Sequence, residues 1–229
     1  MKILAIDTST ELCSVALLVG DRVELRSEIT ERGHAELVLP MVDELLAACG
    51  IVLADLDGIA YGRGPGAFTG LRIAAGVTQG LAFGAGKPVA PVSSLAAVAE
   101  QVEILPGERV LVCNDARMGE IYWGVYERSP SGIVTVGVEA VSPPERVPLE
   151  SGARHVAGNA LPRHPALAER LLGAGFKFRK ETWPRADAVA RLGSRVLADG
   201  GGLPPHEALP VYVRDDVARP SGTIVMRMS

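Results

Sequence analysis

Cysteine is scarce in this chain: three among 229 residues, at Cys13, Cys49 and Cys113. An odd, scattered set inside apolar stretches builds neither a disulfide framework nor a metal knuckle, so each is expected as a buried free thiol. Aromatic residues make up only 4%. Tyr122, Trp123 and Tyr126 share one strand with no cations between them, which suits a sheet face and core rather than a base-stacking platform. The four histidines, His34, His155, His164 and His206, are scattered, and none has a second histidine three or four residues away to form a metal pair. No uncharged apolar run reaches the roughly 18 residues that a membrane-spanning helix needs. The opening run from Met1 to Asp7 is too short for a signal peptide, so a reducing, cytoplasmic setting is expected. Charge of a single sign is also missing. Lys and Arg number 23 against 27 Asp and Glu, a net charge of −4, which is not the basic surplus of a chain gripping nucleic acid by itself. Local clusters such as Arg214 beside Asp215 and Asp216 are mixed in sign. Neither a nucleophile elbow nor a standard phosphate-loop signature occurs.

Hydrophobic residues account for 48% and charged ones for 22%, enough to bury a full core. Ile3 to Ile6, Cys13 to Val19 and Val23 to Glu28 read as three strands of a meander, and the first turn carries Asp7, Thr8, Ser9 and Thr10. A helix follows with two apolar rows, Leu37, Met41, Leu45, Ala48 and Val38, Val42, Leu46, Cys49, wider than one core contact requires. Pro40 should bend it or delay its start, and Gly50 should end it.

After a short strand, Gly58 to Gly62, the glycine loop Arg63 to Gly70 leads into a helix expected from about Leu71 to Ala85. Gly76, Gly80 and Gly84 recur every four residues on one face of it. Each costs about 1 kcal/mol of helix propensity relative to Ala, so close packing of another backbone is expected, with the helix covered on nearly all sides. The pattern then restarts. Val110 to Asp115, a polar turn and Ile121 to Tyr126 repeat the strand, Asp, turn, strand order of the first hairpin, and His155 to Gly158 echoes Ile59 to Gly62. The expectation is therefore two related lobes, residues 1–105 and a smaller, divergent 106–229, split near Leu105-Pro106-Gly107, with the late helix Ala186 to Ala198 in the second.

A polar hairpin repeated in two lobes is how actin-like ATPases and sugar kinases hold nucleotide phosphates. Here the second hairpin offers Asp115 and Arg117 but few hydroxyls, so the residues also read as Asx- and Ser/Thr-turns satisfying their own backbone. Candidate residual contacts to a nucleotide or anion are Asp7, Thr8, Thr10, Arg63 and Arg72; no other cofactor and no metal are expected. The glycine loop reads equally as an anion cradle and as a tight turn that lets its helix pack on the sheet, with Pro65 removing one amide. The two apolar helices are either internal or present their outer faces to another protein.

Ile3 to Thr10, Gly64-Pro65-Gly66-Ala67-Phe68-Thr69-Gly70-Leu71-Arg72-Ile73, Asn114 to Arg117 with Glu120-Ile121-Tyr122, and Pro210 to Arg214 closely resemble the TsaB (YeaZ) family. The resemblance implies an α/β, two-lobe, actin-like (ASKHA, ribonuclease H-like) fold without catalysis. It implies a non-catalytic partner in the complex that installs threonylcarbamoyl on N6 of the adenosine next to the tRNA anticodon. Its expected partners are a TsaD-like catalytic subunit and a TsaE-like ATPase, with a homodimer when alone and tRNA met only through the complex. The H-x-x-x-H metal pair of the catalytic relative falls on His34 and Val38, so half of it is missing. The expected partner interface is His34, Leu37, Val38, Met41, Leu45, Ile73, Val77, Gly80 and Leu81. An actin-like kinase or ATPase is the alternative, with direct tRNA binding as a third reading.

Overall fold

β1 (Lys2–Asp7) and β2 (Leu12–Val19) are apolar on both faces, the pattern of central strands covered by helices on either side. β3 (Arg22–Ile29) is half exposed and forms an edge. A computed structural model describes residues 1–149 and 151–214; Asp215 and Asp216 lie outside the described residues. The first sheet adds β4 (Gly58–Gly64) and β5 (Val89–Ser93) in the order β3-β2-β1-β4-β5, antiparallel through the meander and parallel from β1 to β4 to β5.

The second sheet consists of β6 (Arg109–Asp115), β7 (Ile121–Ser129), β8 (Gly132–Ser142), β9 (His155–Gly158) and β10 (Lys177–Glu181). Its order, β10-β9-β6-β7-β8, repeats the first, with the same alternation of antiparallel and parallel pairs. Asp7 and Asp115 are the last residues of β1 and β6, so the duplication expected from the sequence holds at the level of single residues. β4 and β9 occupy equivalent places.

α1 (His34–Cys49) and α2 (Phe68–Ala85) cover one face of the first sheet and enclose Leu4, Ile6, Val15, Leu17, Ile59 and Tyr61. α1 continues unbroken through Pro40, which is exposed, and neither starts late nor ends before Gly50 in the left-handed C-cap. α2 begins three residues earlier than the sequence suggests, at Phe68. The opposite face of this sheet packs on α5 (Ala186–Ala198), where Ala186, Val189 and Ala190 meet Ala5, Ala16 and Ala60. This corrects the split at residue 105: α5 follows the second lobe in sequence yet belongs to the first in space. The small residues explain it, since a Cβ on Gly193 would lie 2.3 Å from the Ala60 side chain, so only a glycine-alanine face lets α5 approach this closely.

α3 (Ser94–Glu100) is capped by Ser93 Oγ, which accepts from the amides of Leu95 and Ala96. It fills the space between the lobes, with Ala97 on the first-lobe cluster and Leu95, Val98 and Ala99 against Val110, Val112 and Tyr126 of the second. α4 (Pro165–Gly173) closes the far face of the second sheet through Leu167 and Leu171. Cys13 and Cys113 are buried, whereas Cys49 is only partly covered at the end of α1.

Candidate functional site

The first hairpin is closed off by the chain itself. Asp7, Thr8 and Ser9 are buried. The Asp7 carboxylate accepts from the Ser9 amide at 2.9 Å and the Ser9 hydroxyl at 2.7 Å, an Asx-turn, and from Ser94 Oγ at 3.4 Å. Desolvation raises its pKa from 3.8 to about 6, against the lowering effect of these hydrogen bonds. Thr8 Oγ1 donates to the Gly70 carbonyl at 2.7 Å, and the Ala67 amide donates to the Ser9 carbonyl at 2.7 Å.

These bonds explain the glycine loop. A Cβ on Gly62 would sit 1.9 Å from Asp7 Oδ2, on Gly66 2.4 Å from the Ser9 carbonyl oxygen, and on Gly70 1.8 Å from the Thr8 carbonyl oxygen. The loop is glycine-rich because its backbone lies against the hairpin, and the tight-turn reading is the one the geometry carries. Asp7 and Thr8, read as contacts to a nucleotide or anion, are therefore inaccessible to any ligand in this conformation, and Thr10 is left half-buried at the rim. Arg63 pairs with Glu139 at 3.3 Å, and Arg72 lies over the Phe68 ring and donates to the Tyr212 hydroxyl at 3.1 Å. The five residues of that set are not brought together around one space.

The helix faces separate differently from the two-row reading. Val38, Met41 and Leu45 of the expected interface point into the core with Val42 and Leu46, which corrects their assignment: a side chain sealed between α1 and the sheet offers nothing to a partner. Leu37, Ile73, Val77 and Leu81 are partly buried at the edge of that core. His34 anchors the start of α1 to the first hairpin, its Nε2 donating to the Thr10 carbonyl at 2.8 Å.

The glycine stripe of α2 is open rather than covered on nearly all sides. A Cβ at Gly76, Gly80 or Gly84 would meet nothing within 4 Å. Phe83, absent from the expected set, stands beside the stripe with 82% of its surface exposed. Its signal was legible, because an aromatic residue near the C-terminus of a helix with no charge after Arg72 sits in register with the glycines.

Between the lobes runs a cleft that the sequence does not announce. Glu11 of the first hairpin pairs with Arg163, which also reaches Glu181 at 3.4 Å, and Asp115 meets His164 at 3.1 Å. On the other side Glu139 of β8 accepts from the Tyr126 hydroxyl at 2.6 Å, from Ser93 Oγ and from Arg63 of the first lobe. A strap from Leu209 to Arg214 crosses from lobe to lobe. Tyr61 donates to the Leu209 carbonyl at 3.1 Å and the Val211 amide to the Arg63 carbonyl at 2.7 Å. Arg214 reaches the Ala116 carbonyl at 3.1 Å and pairs with Glu120. Of these acids Glu11, Glu139 and Glu181 did not stand out in the sequence, since a single Glu in a strand or turn carries no periodicity. Among the described residues no helix is long and apolar enough to cross a membrane.

A duplicated sheet of order 3-2-1-4-5, with one polar hairpin per lobe facing a shared cleft, defines a two-lobe actin-like α/β protein, here with the first hairpin sealed. The comparisons with known proteins agree. The family described as TsaD, tRNA N6-adenosine threonylcarbamoyltransferase, matches residues 26–181. The tRNA threonylcarbamoyladenosine biosynthesis protein TsaB of Escherichia coli is 40% identical over 224 residues, covering 95% of this chain and 96% of that protein. The Bacillus subtilis protein of the same name is 32% identical over 90% of this chain and 93% of its own length. YeaZ from Pseudomonas aeruginosa superposes with a TM-score of 0.81 at 42% identity, covering 92% of this chain and 99% of that one. The chain belongs to the TsaB (YeaZ) family.

Proposed function

We propose that this chain is the non-catalytic, scaffolding subunit of the complex that transfers threonylcarbamoyl to N6 of the adenosine adjacent to the tRNA anticodon. The observation that carries this reading is the open stripe of α2. Three glycines that cost helix stability, with no contact from their own chain, are accounted for when the backbone of another helix lies against them. Leu37, Ile73, Val77, Leu81 and Phe83 flank the stripe and supply apolar area. A TsaD-like homologue built on the same topology would present equivalent helices, giving a four-helix contact; a second copy of this chain would do the same in its absence. The sealed Asp7 hairpin supports assigning the chemistry to the partner. A TsaE-like ATPase and tRNA would then be engaged through the assembled complex, and no resident cofactor is required of this chain.

The test is Gly80→Arg, whose new side chain projects into open space and leaves the fold intact. Co-purification with the TsaD homologue of the same organism and the tRNA threonylcarbamoylation rate should both fall at least tenfold while the melting temperature holds. Undiminished association would remove this face from the interface. Undiminished modification in the complete absence of this chain would remove the scaffold role.

A further inference from the structure

The cleft beneath the strap contains two connected chambers that no step above uses. The larger, about 260 Å³, lies under Val211–Arg214 and is walled by Phe68, Leu71, Tyr122 and Tyr212. Among the described residues its charged walls are Arg117 and Arg214, and no acid lines it. The smaller, about 60 Å³, opens from it past Gly66, Ala67 and Arg117 toward Asn114.

Asn114 is the unusual member. It is 2% exposed, lines the smaller chamber, and neither its Oδ1 nor its Nδ2 has a hydrogen-bond partner. A buried amide left unpaired costs about 1–3 kcal/mol, so a group that pairs with it in a functional state would recover that loss. The start of α2 faces the same space. No side chain caps this helix, and its first-turn amides have no intrahelical acceptor. Arg117 stands opposite with φ +61°, a left-handed conformation rare for a residue with a side chain. Its guanidinium is 3.6 Å from Asp115 and 4.0 Å from Glu11, contacts long enough to leave donors unspent.

We propose that the two chambers form a binding site for a carboxylate carried on a flat apolar body. The ring system would lie between Tyr122, Tyr212 and Phe68 in the larger chamber. The carboxylate would enter the smaller one, taking the Arg117 fork, the Asn114 Nδ2–H and the α2 amides. Glu11 and Asp115 also face this chamber, the first paired with Arg163 and the second hydrogen-bonded to His164 Nε2 at 3.1 Å. Two neighbouring acids tolerate a monoanion better than a dianion, so a carboxylate fits where a phosphate monoester does not. The site is separate from the α2 stripe, and its occupancy does not depend on the scaffold reading.

The test is amide-resolved NMR of the full chain titrated with 2-naphthoate, 2-naphthamide and adenosine monophosphate. The naphthoate should shift the amides of Gly66–Gly70 and Ala116–Gly119, and the neutral amide and the nucleotide should bind at least tenfold more weakly. Arg117→Gln, at a side chain 70% exposed, should weaken naphthoate by about tenfold without altering the rest of the spectrum. Tyr212→Ser should weaken both naphthalene compounds together. Equal shifts from acid and amide, shifts confined to Gly76–Gly84, or tighter binding of the nucleotide would each overturn the assignment.

Discussion

Gly70 lies against Thr8 so closely that a single added carbon would stand 1.8 Å from the Thr8 carbonyl oxygen, while the Thr8 hydroxyl donates to the Gly70 carbonyl at 2.7 Å. The loop before α2 and the first hairpin are thus one packed unit. Gly70→Ala must push the helix away from the hairpin and break that bond. The expected loss is about 3 kcal/mol of stability, read from the midpoint of urea unfolding. An unchanged midpoint would mean that the two segments separate easily.

Asp7 gives stability a pH dependence opposite in sign to that of a salt-bridged acid. Its folded pKa of about 6 exceeds the ordinary carboxyl value of 3.8, so the folded state holds this proton more tightly than the unfolded chain does. The contribution is fully present below pH ~4 and lost as pH rises through about 6, a decline of up to about 3 kcal/mol. Asp7→Asn keeps an acceptor for Ser9 and should abolish the decline. Urea midpoints of both proteins at pH 4.5 and 7.5, read as a difference, isolate this residue from the other titrating groups.

Replacing Gly76, Gly80 and Gly84 together with Ala should move folding and assembly in opposite directions. Each new methyl meets empty space and relieves about 1 kcal/mol of helix-propensity cost, so the isolated chain should melt higher. The same methyls hold an opposing backbone away, so binding to the TsaD homologue should weaken, measured by calorimetric titration. A rise in both would show that no backbone packs there.

Met41→Glu separates the inward row of α1 from the outward stripe of α2. Met41 sits in the first-lobe core, and an unpaired carboxylate there should cost at least about 3 kcal/mol, seen as a collapsed melting temperature. Phe83→Ser, at a side chain almost wholly exposed, should leave the melting temperature within a degree or two and reduce partner binding.

Glu139→Ala should loosen the contact between the lobes. It removes the acceptor of the Tyr126 hydroxyl and the counter-charge of Arg63. Burial and the Glu139 carboxylate push the Tyr126 pKa well above the usual tyrosine range, so this hydroxyl stays protonated and is left without its short bond. A loss of about 2–3 kcal/mol is expected, with faster amide exchange along β7.

Much of this was legible in the residues. The two hairpins ending in Asp7 and Asp115 announced a duplicated sheet because strand period and turn chemistry are local signals that survive divergence. The loop around Gly66 and Gly70 was readable as a tight turn, whereas the helix of Gly76, Gly80 and Gly84, expected to be covered on nearly all sides, leaves that face open. What failed was direction: Val38, Met41 and Leu45 resemble Leu37 and Val77 in composition, and periodicity cannot tell which of two adjacent apolar rows meets its own sheet. α5 was misassigned for a related reason, since chain order says nothing about a segment that returns to an earlier lobe.

By itself the sequence determined the element types, their repetition and the family, because backbone preference and apolar spacing act over a few residues at a time. Only tertiary structure decided that the Asp7 hairpin is shut, that Glu11, Arg163, Arg63 and Glu139 tie the lobes together, and that Asn114 faces a cleft without a partner. Those outcomes depend on groups far apart in the chain meeting at hydrogen-bond distance, and whether they meet is set by how the two sheets pack against α3.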